Sequence, residues 1–139
     1  MSKSHILSFL CGGLAVLGVT MVSQSNAQSS PHVYELRTYT ATPGKLDALE
    51  ARFRDHTEAI FKRHNIKAIG YWVPQENKDN LLIYIVDHKS KEDATKNWAA
   101  FQADEEWKKV RAASEVNGPL TSKAPDSVYM NPTDFSRLK

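Results

Sequence analysis

The run Leu81-Leu82-Ile83-Tyr84-Ile85-Val86 is the feature that most restricts how this chain can fold. Side chains alternate along a strand, so Leu81, Ile83 and Ile85 share one face and Leu82, Tyr84 and Val86 the other. Both faces are apolar. A strand of this kind belongs inside a sheet that is covered on both sides.

The neighbouring segments supply that sheet. Val33 to Thr40 is rich in β-branched and aromatic residues and lies between Pro31 and Pro43-Gly44, which predicts a first strand. After the turn, Leu46, Leu49, Phe53, Ile60 and Phe61 recur at helical spacing among charged residues. An amphipathic helix is expected to about His64, with Asn65 as its stop. Ile66 to Pro74 and Leu81 to His88 read as a hairpin joined by the polar stretch from Gln75 to Asn80.

Ser90, with Asp93 three residues on, predicts the N-cap of a second helix whose Ala94, Trp98 and Phe101 share a face. A further helical stretch carries Trp107 and Val110 and ends at Gly118-Pro119. Ser127 to Met130 can then close the sheet ahead of the tail Asn131 to Lys139. The order β-α-β-β-α-β implies an α+β, ferredoxin-like fold: a four-stranded antiparallel sheet with its helices on one face. Those helices cover one side only, so the expected cover for the other is a second copy of the chain in a homodimer.

At the amino end, Lys3 and His5 precede an apolar run from Ile6 to Val22, and Ser25 and Ala27 stand three and one places before a candidate cut. This layout predicts a signal peptide over residues 1–27, with a domain over 28–139 that is secreted or periplasmic and has no membrane attachment after cleavage. Leu10 before Cys11 is too bulky for a lipoprotein site. Removing Lys3 from the 18 Lys and Arg leaves 17, against 16 Asp and Glu. This balance, without a basic stripe, argues against nucleic acid.

The residues Val33-Tyr34-Glu35-Leu36-Arg37-Thr38-Tyr39 and Pro43-Gly44-Lys45 are similar to the opening of NIPSNAP domains. Gly70-Tyr71-Trp72, the pair Trp98 and Phe101, Asp104-Glu105-Glu106-Trp107, and Pro132-Thr133-Asp134-Phe135-Ser136 resemble later motifs of the same family. The resemblance implies a dimeric α/β barrel, from a superfamily that also includes cofactor-free monooxygenases of antibiotic biosynthesis and haem-dependent enzymes. It implies no reaction, because fold and chemistry separate readily.

Candidate site residues follow from the strand pattern. Val33, Glu35, Arg37 and Tyr39 share a face, which we assign to the cavity between two copies. There Arg37, beside Glu35, would orient a ligand's carboxylate or hydroxyl; the bland alternative is an ion pair that fixes strand or subunit register. Tyr39 and Trp72 would line the apolar part of that cavity, or simply pack. His32, His56, His64 and His88 form no metal-ligand spacing, so neither a metal nor another cofactor is expected. His88, after Asp87 at the end of a strand, could serve as a base or could be a solvated strand end.

Two functions are compatible with this pattern. One is a dimeric binding or interaction protein with a small apolar ligand near Glu35, Arg37, Tyr39 and Trp72. The other is a cofactor-free monooxygenase acting on a phenol or quinol, in which His64 or His88 accepts the proton. A dimer whose interior is filled by its own side chains is the structural alternative to both.

Overall fold

The computed structural model describes residues 32–138, and the predicted signal segment lies outside them. Strand β1 (Val33–Thr40) is followed by α1 (Leu46–Arg52), a π-helical turn (Phe53–Thr57) and α2 (Glu58–Arg63). Then come β2 (Lys67–Trp72), β3 (Leu81–His88), α3 (Lys91–Ala103), α4 (Glu105–Ser114) and β4 (Asp126–Met130). All strand pairs are antiparallel, and the sheet order is β2-β3-β1-β4, the ferredoxin-like arrangement.

Local chemistry sets the boundaries. Asn65 adopts φ 55°, the left-handed conformation that asparagine tolerates, and turns the chain from α2 into β2. At α3 the Ser90 hydroxyl accepts the Asp93 amide at 3.0 Å and donates to the Asp93 carboxylate at 3.1 Å, a reciprocal cap. Asp104 caps α4 by accepting the amides of Glu106 and Trp107 at 2.8 and 3.0 Å.

The expected single helix from Leu46 to His64 contains an irregularity that its apolar spacing did not reveal. At the π-helical turn the Glu58 amide reaches back five residues to the Phe53 carbonyl, and the Thr57 hydroxyl bonds the Arg52 carbonyl at 3.1 Å. One extra residue per turn rotates the helix, and both Phe53 and Thr57 are buried.

The core lies between the sheet and the helices. Leu49, Phe53, Ile60 and Phe61 pack with Phe101 and Trp107 against Leu82, Tyr84 and Val86 of β3. Phe53 is its aromatic hub, with the rings of Tyr39, Tyr71 and Tyr84 at 5.3–5.6 Å. Arg52 ties α1 to α4, donating to Glu115 at 2.9 Å and lying 5.2 Å from the Trp107 ring.

The face assignment of β1 is corrected by this packing. Val33, Glu35, Arg37 and Tyr39 do not look out toward a second copy; they lie beneath the chain's own helices, with Tyr39 against Phe53 and Arg37 against Trp98. The register pairs Leu36 with Ile85 and Val128, and Trp72 with Ile83, so these residues occupy the opposite, helix-free face. A chamber between copies lined by Glu35 and Arg37 is therefore ruled out, because a strand cannot present the same residues to both sides.

Candidate functional site

Two separate constellations occupy the two faces of the sheet. Beneath the helices the centre is Glu35, fully buried in the middle of a strand. Its Oε1 accepts Arg37 Nη1 at 2.7 Å and Ser127 Oγ at 2.6 Å. Its Oε2 accepts Trp98 Nε1 at 2.6 Å and lies 2.9 Å from His88 Nε2. An ionised carboxylate only accepts, so His88 donates through Nε2.

These donors come from β1, β4, α3 and β3, so the carboxylate joins three strands and a helix. Burial by itself would raise the Glu35 pKa. Donation from His88, Ser127, Arg37 and Trp98 outweighs that effect and holds it down at about 2. The Arg37 guanidinium is stacked 4.4 Å from the Trp98 ring centre, a cation–π contact that leaves its side chain 14% exposed. His88 Nδ1 and Arg37 Nε are buried without hydrogen-bond partners.

His88 is thus not a solvated strand end. Its side chain is fully enclosed, and in this arrangement it has no open path to a substrate proton. His64 stands elsewhere: its Nε2 is 2.7 Å from Asp104 Oδ2, tying the end of α2 to the N-cap of α4. Arg63 joins the same carboxylate at 3.3 Å. The sequence grouped Glu35, Arg37 and Tyr39, and the structure keeps them together; it adds His88, Trp98 and Ser127, which lie 53, 63 and 92 residues from Glu35. A polar triplet in an apolar strand was the available sign that donors must converge there.

Trp72 belongs to the other face. Its indole lies over Gly70, where a Cβ would come within 3.0 Å of Cη2, so the glycine provides the seat for the ring. The side chain is 49% exposed. Leu36, Ile83 and Ile85 are only half-buried beside it, and Val128 on β4 is 53% exposed. Together they make a continuous apolar surface with no helix over it.

Around the edge of β2 from Trp72, a groove of about 360 Å³ runs along the π-helical turn and is lined by Phe53, Tyr71, Trp72, Val73 and Leu82. Glu58 also lines it and accepts the Tyr71 hydroxyl at 2.5 Å. Burial, followed by this carboxylate, pushes the Tyr71 pKa far above its ordinary value. Among the described residues no cluster of His, Cys, Asp and Glu is arranged to hold a metal ion, and no helix is long and apolar enough to cross a membrane.

Sheet order, helix placement and the bare apolar face define an α+β protein of the ferredoxin-like group that includes monooxygenase-like folds. The chain belongs to the NIPSNAP family, whose model matches residues 34–137. It is similar to a crystal structure of a NIPSNAP family protein of unknown function from Agrobacterium tumefaciens, with 24% identity and a TM-score of 0.68 over 79% of this chain and 96% of that one. A NIPSNAP-like domain protein from Burkholderia xenovorans shares 20% identity over 77% of this chain and 90% of that one, at a TM-score of 0.66. A Streptomyces coelicolor monooxygenase in complex with nanaomycin D is 13% identical over 75% of this chain and 89% of that one, at a TM-score of 0.51. No curated protein matches the chain.

Proposed function

We propose that the protein is a homodimeric binding protein that acts outside the cytoplasm, in a periplasm or beyond. Two sheets facing each other would hold a small, mostly apolar molecule between them. The observation that carries this reading is the helix-free face formed by Leu36, Ile83, Ile85, Val128 and Trp72. Apolar patches of this kind left in water promote aggregation, and a second copy offers a self-complementary cover.

Trp72 is the ligand-contacting residue in this arrangement, through its exposed indole. Glu35, Arg37 and Tyr39, on the far side of the sheet, would brace β1 and keep its apolar side chains in register. The oxygenase alternative has less support. Monooxygenase neighbours share the fold at 16% identity or less, and both candidate bases are engaged, His88 with Glu35 and His64 with Asp104.

Light scattering of the purified protein is expected to give twice the mass of the chain, and Ile85→Asp on the open face is expected to give a folded monomer. Native mass spectrometry of the unmodified protein is expected to show a co-purified small molecule that is absent from the Ile85→Asp variant. A wild-type monomer at micromolar concentration would remove the proposal.

A further inference from the structure

The tail that follows β4 carries the most exposed large apolar side chain among the described residues, Phe135 at 84%, and three residues further on it carries Leu138, 52% exposed. The segment is nonetheless shaped. The Ser136 amide donates to the Thr133 carbonyl at 3.0 Å, and the Ser136 hydroxyl donates to the Leu138 carbonyl at 2.8 Å. The Leu138 amide returns to the Ser136 hydroxyl at 3.3 Å. A turn that holds itself together while its aromatic ring lies in water has the form of an arm prepared for a surface on another molecule.

We infer that residues 131–138 form an arm that packs Phe135 and Leu138 onto a second copy of this chain. The inference rests on the dimer proposed above. Continuity supports it: the arm leaves from Met130, whose pairing with Tyr34 places it on the open face beside Leu36 and Val128. Edge position supports it too, since β4 is an edge strand and the arm leaves the sheet at its margin.

Exposure supports it as well. Phe135 and Leu138 would add to the apolar area that Leu36, Val128 and Trp72 already offer to a second copy. Residues 131–133 lie between Met130 and the turn, and such a run spans at most about 10 Å, about two strand spacings.

The test is photocrosslinking with a benzoylphenylalanine at position 135, in full-length protein made as an equal mixture of ¹⁴N and ¹⁵N chains. Mixed-isotope cross-linked peptides are expected, together with a dimer dissociation constant raised about tenfold or more by Phe135→Ala with Leu138→Ala. Circular dichroism of that double variant should match the parent, because neither side chain is buried in its own chain.

A parent dimer that gives only same-isotope links, or no links, overturns the arm and leaves the sheet dimer standing, as does a dissociation constant unmoved by the double substitution. A monomeric parent overturns both. Loss of the dimer in Ile85→Asp together with mixed links in the parent supports both.

Discussion

Glu35 and His88 are diagonal neighbours on β1 and β3, 2.9 Å apart through Oε2 and Nε2 with side chains 1% and 0% exposed, and this pair anchors the polar centre of the sheet. Deep charge is tolerated here because the carboxylate gathers four hydrogen bonds from different elements. Removing one member of such a set leaves the others buried without partners, which is far costlier than never having buried them.

Glu35→Ala is therefore expected to destabilise the protein by about 3–5 kcal/mol, since it strands donors from Arg37, His88, Trp98 and Ser127. Glu35→Gln should cost less, because the amide oxygen still accepts. Urea unfolding of both variants beside the parent measures the difference, and equal losses would contradict the donor-counting argument.

Acid should expose the same carboxylate. Its pKa falls from 4.5 to about 2 on folding, so its contribution is fully present above pH 4.5 and is lost as pH falls toward 2. The depression corresponds to about 3 kcal/mol. Denaturation midpoints recorded from pH 6 to 2 should decline in the lower part of that range, with a visibly shallower decline for Glu35→Gln.

Alkali should act through buried phenols. Burial raises the pKa of Tyr71 and of Tyr84, the latter packed against Tyr39 and fully enclosed. Unfolded tyrosines ionise near pH 10. Stability linked to these groups is therefore complete below pH 10 and drains away above it. Absorbance titration should show that Tyr71 and Tyr84 form phenolate only when the fold is lost, whereas smooth early ionisation of all 5 tyrosines would refute this.

Gly70→Ala tests the seat of Trp72. The new methyl would press on Cη2 at 3.0 Å, at the far end of a side chain that has room to swing outward. Folding stability is expected to change by less than about 1 kcal/mol, while tryptophan emission shifts and the dimer weakens. Unchanged emission together with unchanged dimerisation would mean that the indole is not part of the interface.

Single-residue patterns were enough to foresee the Ser90 cap, the Asn65 stop and the strand at Leu81–His88, because each depends on neighbours close in the chain. The π-helical turn was hidden, since Thr57 carries no apolar signal and its burial follows from a register shift in the backbone.

By itself, the sequence determined the order of elements, the alternation of β1 into two sets of side chains, and the excess of apolar surface over what the helices can cover. Only the tertiary structure decided which set turns inward. Alternation is symmetric between faces, and intuition sends Glu35 outward; the partners that make its burial affordable arrive from positions up to 92 residues away. That convergence exists only once β3, α3 and β4 have been brought around β1. The same folding step leaves Leu36 and Trp72 on the outside.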